Sequence, residues 1–326
     1  MPPMRKANAL CIVMAVILLG GCSSAHSPVS PSGMPTSINF TSLGYWEIIR
    51  QIDYRSIPKA NLKGDNDPAY RLYLVTVAGF HSDTFGITAG PDDDVRYTTD
   101  GGQSWTRSPN ALHCRHGLEI VNEYVAWHCG NGGTRVSIDG GQTWKTKSPS
   151  ACPYMSFLDA QTGWTASPAS IQATHDGGTT WINVSMPLAI KDIAAIAFQS
   201  ANTGYVLDTD GNLFVTVDEG KSWDIHSLGL KKGEQLTMTT NGPRAALRFF
   251  DPQHGMVIFD LPDRTVWFAI TSDGGKSWQR AEIPELRDQS YYYHLFLSHD
   301  GSLLTATDNF DHGKNTSILL KYRPAP

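Results

Sequence analysis

The sequence predicts an all-β chain folded as a ring of four-stranded antiparallel sheets, and three observations carry that prediction. The first is a turn written five times: "TTDGGQSW" at 98–105, "SIDGGQTW" at 137–144, "THDGGTTW" at 174–181, "TVDEGKSW" at 216–223 and "TSDGGKSW" at 271–278. The second is its spacing, with aspartates at 100, 139, 176, 218 and 273, hence 39, 37, 42 and 55 residues apart. The third is what precedes each turn: short runs rich in Val, Ile, Phe and Thr, punctuated by Gly, Asn and Asp. Units of about 40 residues with four strands have the period of propeller blades. One such sheet cannot bury both faces alone, whereas a closed ring of them can. The expectation is a β-propeller.

The unit at 193–223 shows the reading most plainly. Runs "AAIAFQ", "YVLDT" and "LFVTV" give three strands, and Ser222-Trp223 opens the fourth. The same order recurs at 156–181 and 247–278. Within each turn an Asp carboxylate can accept hydrogen bonds from its own turn. Gly supplies the positive φ of a tight hairpin, and Trp packs on neighbouring strands. Asp100, Trp105, Asp139, Trp144, Asp176, Trp181, Asp218, Trp223, Asp273 and Trp278 are therefore read as structural residues. Five such turns on five blades lie too far apart for one ligand to meet them all. A sixth unit at 292–322 offers three strands before the chain ends. Its fourth is expected from "YWEIIRQI" at 45–52, with Trp46 in the position of the turn Trp. Closure of this kind removes two exposed edges. The expected count is six blades, with seven as the alternative; 47–72 is too short and irregular for another full blade.

The first residues are read as an export signal. Arg5 and Lys6 precede an apolar run from about Ala9 to Leu19, too short to span a membrane. Leu19-Gly20-Gly21-Cys22 resembles a bacterial lipobox, which implies cleavage before Cys22 and its lipidation. By the same resemblance, Ser23 in place of an aspartate favours the outer membrane of a Gram-negative bacterium. The expected division is a signal peptide at 1–21, a Ser/Pro-rich tether at 22–40 and a single propeller domain at 41–326. Without Arg5 and Lys6 the chain has 24 basic and 31 acidic residues, a net charge of −7. It has no polybasic run, which argues against nucleic acid as a partner.

Beyond Cys22 the exported part holds Cys114, Cys129 and Cys152, an odd number in a disulfide-permissive compartment. Cys114–Cys129 is the expected pair, and Cys152 is the other partner open to Cys114. His113, His116 and His128 flank these cysteines, but no close-spaced CxxC or HExxH pattern accompanies them. Neither a metal nor a cofactor is expected.

The five turns resemble the Asp-box, or bacterial neuraminidase (BNR), repeat. Blades reading "NTGYVL" and then "TVDEGKSW" resemble the photosystem II assembly and stability factor-like repeat proteins. That resemblance implies a non-catalytic propeller that binds proteins or assists their assembly, here in the cell envelope and attached to the membrane only through its lipid. A more distant resemblance to sialidases implies the alternative, a glycoside hydrolase or glycan-binding propeller. Sialidases grip a carboxylate with three arginines, one of them in a Phe/Tyr-Arg-Ile-Pro motif. Here Tyr54-Arg55-Ser56-Ile57-Pro58 has one residue too many, and a one-residue insertion turns every later residue of a strand to the other face. In Asp-box propellers the boxes sit away from the usual ligand face. The long links 53–70 and 227–245, and the shorter 281–292, belong to the opposite face, where scaffold loops carry binding groups. In or beside them stand the candidate binding residues Arg55, Arg71, Arg244, Arg248, Tyr291 and Tyr293.

Overall fold

The computed structural model describes residues 38–63, 75–90, 94–109, 117–130, 133–148, 154–168, 170–237, 245–287, 292–308 and 315–325. Two strands, β1 (Tyr45–Asp53) and β2 (Leu62–Lys63), precede the first complete blade. Blade 1 comprises β3 (Val77–Phe80), β4 (Gly86–Ala89), β5 (Val95–Thr98) and β6 (Trp105–Arg107). Blade 2 comprises β7 (Gly117–Ile120), β8 (Ala126–Gly130), β9 (Gly133–Ser137) and β10 (Lys145–Ser148). Blade 3 comprises β11 (Tyr154–Phe157), β12 (Gly163–Ser167), β13 (Ser170–Thr174) and β14 (Ile182–Val184). Blade 4 comprises β15 (Ile193–Phe198), β16 (Gly204–Asp208), β17 (Asn212–Thr216) and β18 (Asp224–Ser227). Blade 5 comprises β19 (Ala245–Phe249), β20 (Gly255–Asp260), β21 (Val266–Thr271) and β22 (Gln279–Glu282).

Blade 6 closes the ring. Its strands β23 (Tyr292–Leu297), β24 (Leu303–Asp308) and β25 (Thr316–Arg323) come from the end of the chain, and β1 pairs antiparallel with β25 as the outermost strand. The structure is thus an all-β, six-bladed propeller of four-stranded antiparallel blades. Trp46 is buried, edge-on to Tyr322 and Phe268. The innermost strands β3, β7, β11, β15, β19 and β23 are neighbours in sequence order, and β23 returns to β3.

The core lies between blades, with one apolar cluster at each junction. Phe157 and Trp181 of blade 3 pack on Trp127 and Val136 of blade 2. Leu247 and Phe249 of blade 5 pack on Tyr205 and Leu213 of blade 4. One aromatic device repeats across three successive junctions. Trp127 stacks on Phe157, Trp164 on Phe198 and Tyr205 on Phe249, with centroids 3.9, 4.0 and 3.5 Å apart. Each phenylalanine lies opposite a glycine on its own blade: Phe157 opposite Gly163, Phe198 opposite Gly204. A Cβ on Gly204 would sit 2.2 Å from Phe198 Cε1, so the ring lies where any side chain would stand. This accounts for the glycine in the "TGW" and "TGY" strand starts.

The link after β1 has more structure than its sequence shows. A short 3-10 turn (Lys59–Asn61) leads into β2, which pairs parallel to β6 and gives blade 1 a fifth strand. Two residues are too few for periodicity to reveal.

Candidate functional site

The Asp-box turns have one construction. In the first, Ser104 N and Oγ donate to Asp100 at 2.9 and 2.6 Å, Thr98 Oγ1 donates to Asp100 at 2.8 Å, and Gly102 N donates to Thr98 Oγ1. Gly101 and Gly102 adopt φ of 72° and 88°. The Trp105 indole N–H closes the turn onto Gly102 O at 3.1 Å. Trp144, Trp223 and Trp278 do the same on Gly141, Gly220 and Gly275. Trp181 departs from the set: its buried indole nitrogen has no partner among the described residues. In the fourth copy Glu219 holds the first glycine position at φ 65°. Hydroxyl and backbone donors from Thr180 and Ser222 hold Asp176 and Asp218 down at about 2. With their donors drawn from their own turns, these carboxylates act as structural staples. The box turns also tie back to their own blades, as Gly101 N to Thr84 O and Gly177 N to Gln161 O. The loops between first and second strands therefore share the box face.

The expected rim on the opposite face is described only in part. Arg71, Arg244 and Tyr291 lie outside the described residues, as does Cys22, and of the Tyr293 side chain nothing is described. Arg55 is exposed beyond the outermost strand β1, its Nε 3.6 Å from Asp53. Its neighbour Tyr54 turns inward, buried, and donates to Ser317 Oγ at 2.9 Å. The long link after β18 is pinned rather than free over its described part. Leu228 and Leu236 enter the core between blades 4 and 5, and Leu236 N donates to Thr209 O. Glu234 pairs with Arg280 at 3.0 Å, and Arg280 lies over the Trp267 ring at 5.0 Å.

Of the two rim candidates whose side chains are described, Arg55 does not reach the ring axis and Arg248 does. It projects from β19 and is paired, its Nη1 and Nη2 lying 2.9 and 3.3 Å from the two oxygens of Glu119 on β7. Nη2 also donates to Leu297 O, and His299 Nε2 is 2.8 Å from Glu119 Oε1. The Glu119 and Arg248 side chains are 6% and 12% exposed. Burial opposes ionisation of Glu119, but the Arg248 charge and the His299 contact outweigh it and hold the carboxyl at about 2. Burial and then the Arg248 charge lower His299 from its ordinary value. Burial likewise lowers His81.

This cluster partitions the axis. On its inner side is a narrow channel of about 60 Å³, lined by inner-strand residues that include Glu119, Met155, Ile196 and Arg248. On the box face a funnel of about 530 Å³ opens, lined by the first loops of all six blades. His81, Asp159, Gln199, Arg248, His299 and Asp300 supply its polar groups, and Val121, Leu158, Phe198, Phe249 and Phe250 its apolar wall. The described axial funnel thus opens on the box face. Sequence reasoning passed over Glu119 and His299. The signal was present: Glu119 in "GLEI" and Arg248 in "AALRF" place opposite charges inside apolar inner strands.

Cys129 is disulfide-bonded, and its partner lies outside the described residues, as do Cys114 and Cys152. His128 is buried edge-on to Trp144 at 4.6 Å, and burial with the Arg135 charge pushes it down to about 3. Among the described residues no three His, Cys, Asp or Glu side chains converge as a metal site would require.

The profile of the BNR/Asp-box repeat family matches residues 96–107, which span the first box. The chain is 22% identical over 263 residues to the photosystem II assembly lipoprotein Ycf48 of Synechococcus sp. (strain CC9902), an alignment covering 67% of this chain and 78% of that protein. Among solved structures it is similar to YCF48 bound to D1 peptide, at TM-score 0.50 and 15% identity over 76% of each chain. The GH74 xyloglucanase from Xanthomonas campestris also gives TM-score 0.50, at 14% identity, over 77% of this chain and 46% of the enzyme. U3-55K gives the same score at 11% identity, over 77% of this chain and 96% of that one. Equal scores for three such differently named proteins show a shared propeller fold and nothing finer.

Proposed function

We propose that this chain is a lipid-anchored, non-catalytic propeller that binds protein partners and assists assembly in the cell envelope. The observation that carries the reading is the similarity to the Synechococcus photosystem II assembly lipoprotein, which covers 67% of this chain and 78% of that protein. The D1 peptide held by the related YCF48 supports a polypeptide as the ligand class. The axis supports the same reading. Among the described residues Arg248 is the only arginine on an inner strand, and Glu119 occupies its fork. An arginine whose two Nη groups are already held by a buried carboxylate is a poor grip for a substrate carboxylate, because the incoming anion must first displace that charge. Export with a lipid on Cys22, a tether and location at the outer membrane belong to this proposal. The tether expected over 22–40 ends short of Ile38, because Ile38 and Phe40 pack into the core between blades 5 and 6. The link-face rim of Arg55, Arg71, Arg244, Tyr291 and Tyr293 remains a proposed contact surface.

The test is affinity capture from solubilised envelope with the anchored wild type, alongside a fluorogenic sialoside assay. Capture of a defined protein without sialoside turnover is expected. Turnover abolished by Arg248→Lys would replace the scaffold reading with a hydrolase. Metabolic palmitate labelling of wild type and Cys22→Ala tests the anchor, and label retained in the variant overturns it.

A further inference from the structure

The funnel on the box face has a chemistry of its own. None of the six loops that form its mouth (81–85, 121–125, 158–162, 199–203, 250–254 and 298–302) contains Lys or Arg, whereas five carry an acid: Asp83, Glu123, Asp159, Asp251 and Asp300. Asp159 and Asp300 line the funnel itself, while Asp83 is paired with Lys321 at 3.1 Å and Asp251 with His254 at 2.7 Å. At the floor the charges of Arg248 and Glu119 cancel, and the Arg248 fork is already engaged. His81 and His299 are lowered by burial and stand neutral near pH 7. His81 Nδ1 is buried without a partner among the described residues. With the Arg248 and Glu119 charges cancelled, Asp159 and Asp300 leave the lining net negative, although each also accepts from its own turn. Between the acceptors run the apolar surfaces of Leu158, Phe198, Phe249 and Phe250. A volume of about 530 Å³ exceeds what one side chain fills and lies within the roughly 300–1,000 Å³ of ligand pockets.

We infer that this funnel is a binding site for a lysine- or arginine-bearing segment of an extended polypeptide. Such side chains match both parts of the lining. Their alkyl stems lie along the aromatic and aliphatic wall while the charged head reaches the carboxylates, and a cation near a phenylalanine face gains further attraction. An anionic ligand finds the reverse: both Nη groups of Arg248 are engaged by Glu119 and Leu297 O, only the buried Nε is left over among the described residues, and the Asp159 and Asp300 charges repel it. The acid ring also raises the encounter rate of a basic segment at low salt. The inference rests on the protein-binding reading above and adds the chemistry of the partner and a second contact, on the box face opposite the link-face rim.

Fluorescein-labelled hexalysine, with hexaglutamate as control, tests it by fluorescence anisotropy on the folded chain. Ala201 is exposed and lines the funnel, so Ala201→Trp blocks the space without altering charge. Asp159→Asn with Asp300→Asn removes two charges and keeps an acceptor for each turn. Asp263→Asn with Glu285→Gln removes the same charge from the opposite face. Saturable hexalysine binding is expected, weakened about tenfold by the first two variants, as when one charge-assisted contact is lost, and unchanged by the third. Equal binding by wild type and Ala201→Trp would reduce the effect to diffuse surface charge and overturn the site. Preference for hexaglutamate would overturn the ligand class. Partner capture from envelope without hexalysine binding sinks this inference alone, whereas failure of capture sinks the protein-binding reading beneath it.

Discussion

The Asp-box turns and the axial cluster are both built from carboxylates held well below their ordinary range, yet they are assembled in opposite ways. In the boxes each Asp draws its donors from within four residues, as Ser222 N and Oγ to Asp218. On the axis, Glu119 draws on Arg248 and His299, separated from it by 129 and 180 residues. A box can form as soon as its hairpin closes. The axial cluster exists only when blades 2, 5 and 6 share one ring. Damage to a box is therefore local, whereas damage to the axis strands a buried charge where all the inner strands meet.

The largest effect expected from this contrast is at Arg248. Arg248→Ala leaves the buried Glu119 charge with only the His299 contact, which costs about 2–4 kcal/mol, below the roughly 3–5 for a wholly stranded charge. Glu119→Gln combined with Arg248→Met recovers most of that loss, because the pair is then replaced by neutral groups of similar volume. Urea unfolding measures both, and an Arg248→Ala variant as stable as wild type would show that the axial pair does not hold the ring.

Acid titration comes next. Glu119 is lowered from 4.5 to about 2, and Asp218 from 3.8 to about 2. A carboxyl depressed in the fold contributes stability that is fully present above its unfolded value and is lost as pH falls through the folded one. Both regions should therefore lose stability between about pH 4.5 and 2. The doubly neutral axial variant should show a shallower loss over that window. An unchanged slope would place the acid sensitivity in the boxes.

Removing one box carboxylate is smaller. Asp139→Ala leaves the N–H and hydroxyl of Thr143 to water instead of their acceptor, at about 0.5–1.5 kcal/mol. Hydrogen exchange should rise mainly in blade 2 and its junction with blade 1, where Trp144 packs. Exchange spread evenly over six blades would blur the distinction between local and global damage.

The smallest effect has the opposite sign. Glu219 holds a left-handed φ that the other boxes give to glycine. Glu219→Gly should stabilise blade 4 by about 1 kcal/mol, the strain of an L-residue there. A lower melting temperature would show that the Glu219 side chain contributes more than its backbone costs.

Legibility followed the same division. The boxes, the six blades and the closing strand at 45–52 could be read because each rests on residues close in sequence or on a repeat. Arg248 was singled out as a rim cation beside the link 227–245; its partner Glu119 was not foreseen. The link at 227–245 read as open loop because Leu228 and Leu236 show no strand period, though they pack into the core between blades 4 and 5. The parallel strand β2 was equally hidden.

By itself the sequence determined the turns, the blade period and the identity of the strand that closes the ring. A hydrogen-bonded hairpin and an alternating apolar run are both settled within a few residues. Only the tertiary structure decided which charges meet on the axis, that Glu119 takes up the Arg248 fork, and that a funnel opens on the box face. Those depend on how many blades close the ring and which inner strands face across it. Glu119 and Arg248 are brought into register by six packed junctions, and no local rule relates them.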